Sequence, residues 1–235
     1  MASLTVLTWN LQGRPPDQVG LSELVPRLDP DLIFLQEADA SALAAEPALV
    51  DWMRHSYADP RAGTWPGMAI LSRLPLHDAS TQEPTSGVWD RPRVLVASVA
   101  HSSGELLAVC VHAKAPLPVP FLHATARNRQ LAALGKWLAQ RTAGGRRIVA
   151  AGDFNAVSCR MDGLVDAAAA IQRRRPTWRP FGAPWLPAML RLDRVFVSPS
   201  ITPIAVRVAC GASWSDHCPV MATFQLDGTE AMDQR

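Results

Sequence analysis

The sequence predicts an α/β protein with largely antiparallel strands, and three observations carry that class. Short apolar, β-rich runs alternate with segments of helical spacing. Turn signals such as Ser102-Ser103-Gly104-Glu105 join neighbouring runs into hairpins. Asn10, Glu37, His112, Asp153 and Asn155 each follow an apolar strand, where a rigid sheet commonly presents functional side chains.

In chain order, Leu4 to Trp9 is β-rich and stops at Asn10, before the loop Gly13-Arg14-Pro15-Pro16. Asp17 is a candidate cap for a helix reaching about Leu28, and Asp29-Pro30 ends it. Asp31 to Gln36 reads as a short buried strand closing at Glu37, and a helix rich in Ala, Leu and Glu follows Asp39 as far as Arg54. Gly67 to Ser72 is a buried strand with Arg73 at its end. Strands run from Arg93 to Ala100 and from Leu106 to His112. After the proline-rich loop Ala115 to Pro120, Leu131, Leu134, Trp137 and Leu138 give Leu122 to Gln140 helical spacing. Gly144-Gly145 breaks that helix, Ile148 to Ala151 is the next strand, and Asp162 to Ile171 reads as a short helix. Strands at Leu192 to Ser198, Ile201 to Ala209 and Pro219 to Leu226 close the chain. Chemical signals extend from near the first residue to near the last without a linker, so residues 1–228 read as one domain, with 229–235 as a disordered tail.

The chain has 235 residues, 48% hydrophobic and 19% charged, as in soluble globular proteins. Its net charge of +2 does not argue for a large polyanionic partner. Arg146-Arg147 and Arg173-Arg174-Arg175 are local clusters, read either as solvated helix ends or as phosphate-facing patches. Cys110, Cys159, Cys210 and Cys218 show no close pairing and no metal-ligand spacing, and Cys110 and Cys210 read as small core residues. With no leader and no apolar run of membrane-spanning length, the expectation is a reduced, cytoplasmic protein without a membrane span, a monomer by default.

Gly152-Asp153-Phe154-Asn155 is the strongest local signal. Positions two apart in extended backbone face the same way, so Asp153 and Asn155 can share a pocket while Phe154 faces the core. A carboxylate there can hold metal or orient a water, and an amide can donate to a phosphoryl oxygen. The bland alternative is an Asx turn. Ser215-Asp216-His217 enters the last strand, and Asp193 lies inside an otherwise apolar strand. A buried carboxylate needs a partner, so Asp193 is expected to orient His217. Glu37 fits as principal ligand for a hard cation, with Asn10 beside it. The alternatives are a helix N-terminal acid and turn chemistry.

Taken in order, Trp9-Asn10, Leu35-Gln36-Glu37, Ile70-Leu71-Ser72-Arg73, Val111-His112, Gly152-Asp153-Phe154-Asn155, Leu192-Asp193-Arg194-Val195 and Ser215-Asp216-His217 resemble the endonuclease/exonuclease/phosphatase superfamily over nearly the whole chain. The resemblance implies a four-layer α/β sandwich of two packed, mainly antiparallel sheets flanked by helices. It implies Glu37 as main metal ligand, with Asn10 and Asp216 near the metal, and Mg²⁺ as the cofactor with Mn²⁺ as a substitute. Asp153 would orient or deprotonate the attacking water, Asn155 and His112 would contact the phosphoryl group, and His217, paired with Asp193, would bind or protonate its oxygens. Arg73 and Trp178 join the expected substrate contacts. Trp178 and Trp185 belong to a Pro/Trp-rich insertion that reads equally as a substrate pocket or as a packed loop.

The expected function is a divalent-metal-dependent phosphoester hydrolase, a phosphodiesterase or nuclease-like enzyme working by in-line attack of water on phosphorus. Its partner would be a phosphate ester, whether nucleic acid, nucleotide or small phosphodiester. A phosphomonoesterase or pyrophosphatase acting on a small or lipid-linked phosphate is the alternative within the enzymes. A catalytically inactive binding module is the alternative outside them.

Overall fold

A computed structural model describes residues 2–58, 67–82, 93–115, 120–180, 183, 185–211 and 215–227. These form β1 (Ala2–Asn10), α1 (Pro16–Val19), α2 (Leu21–Leu28), β2 (Leu32–Ala38), α3 (Ala40–Ala44), α4 (Pro47–Trp52), β3 (His55–Ala58), β4 (Gly67–Ser72), β5 (Leu76–Gln82), β6 (Arg93–His101), β7 (Gly104–His112), α5 (Pro120–Ala143), β8 (Ile148–Asp153), β9 (Val165–Asp166), α6 (Ala167–Ala170), β10 (Asp193–Val197), β11 (Ile201–Val208) and β12 (Val220–Leu226). One sheet has the order β11-β12-β1-β2-β4-β3, the other β5-β6-β7-β8-β10-β9. All neighbours pair antiparallel except β1 with β2 and β7 with β8. Each parallel pair needs a crossover, supplied by α1 and α2 in one sheet and by α5 in the other.

Alternation along the central strands divides their side chains between layers. Leu4, Val6, Phe34, Cys110, Val149 and Val195 meet in one core between the sheets. Their neighbours Leu7, Trp9 and Leu35 pack with the helical side chains of Leu21, Val25, Leu43 and Leu49 on one outer face. Val109, Val111 and Ala150 do so with Leu131, Leu134 and Leu138 of α5 on the other. The result is the helix–sheet–sheet–helix order that the resemblance implied.

Two expected helices are broken. The one expected from Asp17 to Leu28 divides at Gly20, which sits at φ 74, and Asp17 lies inside the first turn of α1 rather than capping it. Asp39 does cap α3, but Pro47 starts a separate α4. The short helix expected from Asp162 to Ile171 is instead β9 followed by α6. Strands β3 and β5 were not anticipated, because sheet-edge segments such as His55–Ala58 and Leu76–Gln82 are half-exposed and carry no apolar run. The tail 229–235 lies outside the described residues.

The cysteines require a correction. Cys210 and Cys218 form a disulfide, eight residues apart in sequence, while Cys110 and Cys159 are free. Cys210 is therefore not simply a core residue, and the cysteines no longer support a reducing compartment. No helix among the described residues is long and apolar enough to cross a membrane.

Candidate active site

The site continues the inter-sheet core at one end, where polar residues take over the inward-facing positions. On β1 the alternation Leu4, Val6 runs on to Thr8 and Asn10, and on β7 Ala108, Cys110 leads to His112. On β8 it leads to Asp153 and on β10 back to Asp193. Register places His112 beside Asp153 and Asp153 beside Asp193, three side chains in one row across neighbouring strands. Two carboxylates side by side repel. His217 answers that repulsion, with its Nδ1 2.8 Å from Asp193 Oδ2 and its Nε2 3.7 Å from Asp153 Oδ2.

Asp153, Asp193 and His217 are buried. Burial by itself lowers the His217 pKa, but Asp193, Asp153 and the hydrogen bond to Asp193 outweigh it and push the value up to about 10. Burial raises the pKa of Asp153, with Asp193 adding to the rise and His217 and His112 opposing it. The 3.7 Å gap to Nε2 is too long for a hydrogen bond, and a single oxygen can bridge it. Asp153 itself is fixed by three donors. Oδ1 accepts from the Asn155 backbone N–H at 2.8 Å, and Oδ2 accepts from Asn155 Nδ2 at 3.1 Å and Asn10 Nδ2 at 3.2 Å.

Glu37 reaches the site through a backbone irregularity. Gln36 pairs with Met68 and Ala38 with Gly67, so Glu37 is an extra residue in the ladder, held at φ 49. Asn10 Nδ2 donates to Glu37 Oε1 at 3.1 Å, and His112 Nε2 lies 3.5 Å from the same oxygen. The Asn10 carbonyl Oδ1 accepts from the Gln12 backbone N–H at 2.9 Å. Asn10 thereby bridges Glu37 and Asp153 through its amide nitrogen, and its Oδ1, which accepts one hydrogen bond, keeps a second lone pair beside Glu37.

Asp216, His217 and the start of the Asp193 strand are held by Ser215, Trp9, Thr177 and Trp178. Ser215 Oγ donates to the Asn10 carbonyl at 2.7 Å and accepts from the His217 N–H at 3.1 Å, while Trp9 Nε1 donates to the His217 carbonyl at 2.9 Å. Thr177 Oγ1 accepts from the N–H groups of Leu192 and Asp193, both at 3.0 Å. Trp178 Nε1 donates to Asp216 Oδ2 at 3.1 Å, so this tryptophan orients a carboxylate. Burial raises the Asp216 pKa, opposed by His217 and the Trp178 bond and reinforced by Glu37 and Asp153. Trp185, the other tryptophan of the insertion, is 80% exposed and so not packed away.

Two expected contacts change. Arg73 follows Ser72, which pairs with Leu32 at the end of β2 opposite to Glu37. It pairs instead with Asp29 and stacks over Trp52 at 5.3 Å, so it is not at the substrate site. Both Asn155 amide hydrogens donate inward, to Asp153 and to the Ala113 carbonyl at 2.9 Å, and Arg127 donates to the Asn155 carbonyl at 2.6 Å. Contact between Asn155 and a phosphoryl oxygen requires one of these amide bonds to exchange.

Two donor sets bear on a metal. Asp153, Asp193 and His217 lie close enough, within 4.8 Å of one another, to hold an ion, but His217 already spends its Nδ1 on Asp193. Glu37, less buried than that trio and reinforced by Asp216, offers the oxygen donors that hard cations take alongside water. The second set fits such a cation better.

The sequence model of the Endonuclease/Exonuclease/phosphatase family matches residues 7–217. No curated protein matches the chain. Among solved structures, D. rerio TDP2 complexed with a single-strand DNA product superposes with a TM-score of 0.78 at 19% identity, over 96% of this chain and 100% of that one. TDP2 from C. elegans gives 0.76 at 20% identity, over 94% and 75%. An endonuclease/exonuclease/phosphatase from Beutenbergia cavernae gives 0.73 at 19% identity, over 96% and 72%. At such identities the likeness speaks for the fold.

Proposed function

Because the chain belongs to the endonuclease/exonuclease/phosphatase family and so hydrolyses phosphoester bonds, we propose that it is a Mg²⁺-dependent phosphodiesterase of nuclease type, working as one domain over residues 1–228. The observation that carries this reading is the row His112, Asp153, Asp193, with His217 between the two aspartates.

Glu37 and Asp216 would hold the cation, which supplies charge neutralisation at the phosphoryl and leaving oxygens when bound. Asn10 holds Glu37 in place and ties it to Asp153. His217, with its pKa pushed up to about 10, is protonated at neutral pH and acts as the donor to the phosphoryl oxygens through Nε2. Asp153 is then the acceptor. It lines up the water for in-line attack and takes its proton, and its raised pKa makes it a better base than an exposed carboxylate. The water oxygen bonds to phosphorus as the bond to the leaving oxygen breaks.

The test is hydrolysis of supercoiled plasmid and of bis(4-nitrophenyl) phosphate with Mg²⁺, comparing wild type with His217→Ala. The expected result is turnover by the wild type and a loss of at least about 10²-fold in the variant. Equal rates in the two proteins would remove His217 from the mechanism.

A further inference from the structure

Arg173, Arg174 and Arg175 are exposed just beyond α6, and a cavity opens on each side of them. The first, about 770 Å³, is bounded by Arg160, Arg174 and Arg175 and by the apolar side chains of Val157 and Met189, which are 63% and 64% exposed. The second, about 510 Å³, is bounded by Arg173, Arg175 and Arg207 along the edge strand β11. Arg175 lines both.

Acids do not balance this surface. Asp166 is taken up by Arg191 at 2.6 Å and Arg194 at 3.5 Å, leaving Asp162 as the other carboxylate in the first cavity, and the second has none among its lining residues. Arg160, Arg173, Arg174, Arg175 and Arg207 enter no ion pair among the described residues. A net charge of +2 for the whole chain therefore conceals a local excess of five guanidinium groups against one free carboxylate. The first cavity also adjoins the active site by chain connection. Val157 lies two residues beyond Asn155, Pro176 two before Trp178, and Arg191 two before Asp193.

We infer that this arginine ridge is the track for the backbone of a single nucleic-acid strand continuing from the phosphodiester in the active site. The reading rests on the phosphodiesterase assignment above. A small phosphodiester carries one phosphate and leaves five arginines without a task. A strand supplies repeated phosphates for the guanidinium forks and apolar sugar and base faces for Val157 and Met189. Two consecutive grooves sharing Arg175 suit a continuous chain rather than a compact head group.

The experiment uses the full chain carrying His217→Ala and a fluorescent twelve-nucleotide single-stranded oligonucleotide. Anisotropy is read between 50 and 200 mM salt. Adding Arg174→Glu with Arg175→Glu is expected to weaken binding at least about tenfold and to flatten the slope of log affinity against log salt by about 0.7 for each phosphate that is no longer neutralised. Arg174→Ala with Arg175→Ala should do the same to a lesser degree, and a thermal melt checks that each protein is folded. Unchanged affinity and slope in both double variants would overturn the proposal. So would failure of the parent to bind the oligonucleotide, or stronger binding to vesicles containing a phosphoinositide. Hydrolysis of bis(4-nitrophenyl) phosphate by the wild type is measured beside these. Its absence with arginine-dependent oligonucleotide binding intact would sink the catalytic reading and leave the track standing.

Discussion

Asp193 holds His217 through a 2.8 Å hydrogen bond between two buried groups, and its carboxylate charge, with that of Asp153, outweighs burial and pushes the imidazole pKa up to about 10. Asp193→Asn keeps the shape but removes the leading charge that raises the His217 pKa. The ring titration, followed by NMR, is expected to fall from about 10 toward the ordinary 6.5, with turnover dropping at least about 10²-fold. The linkage has a definite sign. A base with a raised folded-state pKa stabilises the fold fully below its unfolded value near 6.5, and the contribution is lost as pH rises through about 10. The wild type should therefore lose stability between those values and the variant should lose less. A wild-type ring titrating near 6.5 would refute the charged-histidine assignment. This pair was legible in the sequence, since a carboxylate in an apolar strand demands a partner. The place of Arg73 was not legible that way, because a strand-end position does not say which end of the sheet it occupies. Nor does any glycine mark the bulge that aims Glu37.

Strands β7 and β8 form the parallel pair that sets His112 next to Asp153, and their approach depends on Gly152. A Cβ built there would lie 1.9 Å from the Val111 carbonyl oxygen, so no other residue fits without moving β7. Gly152→Ala is expected to destabilise the fold by about 3 kcal/mol or more. The shift shows as a lowered urea midpoint, and a midpoint within error of wild type would mean that the strands do not approach so closely. Gly152-Asp153-Phe154-Asn155 stood out in the sequence for its polar residues, whereas the reason for its glycine belongs to the neighbouring strand. The same limit explains β3 and β5, edge strands whose half-exposed residues leave no period to read, and the Cys210–Cys218 bridge, whose partners are joined by the return of the chain into β12.

Glu37 enters the site from one sheet, Asp153 from the other and Asp216 from the segment leading into β12. With Asp193 beside Asp153, the whole sandwich thus converges four carboxylates at one end, and burial raises the pKa of Asp153 and Asp216 there. A divalent cation between Glu37 and Asp216 would relieve their repulsion and tie β2 to the segment entering β12. A ligand that binds only the folded chain stabilises it by about 2.7 kcal/mol at a hundredfold excess over its dissociation constant. For a chain of this length that is a rise of roughly 5–10 °C in melting temperature. Mg²⁺ is therefore expected to raise the wild-type midpoint by that order relative to chelator. Glu37→Gln should lose most of the response yet melt in chelator at or above the wild type, because one of the repelling charges is gone. If the variant kept the full Mg²⁺ response, the cation would be held elsewhere, and the buried trio of Asp153, Asp193 and His217 would become the set to test, with His217 then giving up its hydrogen bond to Asp193.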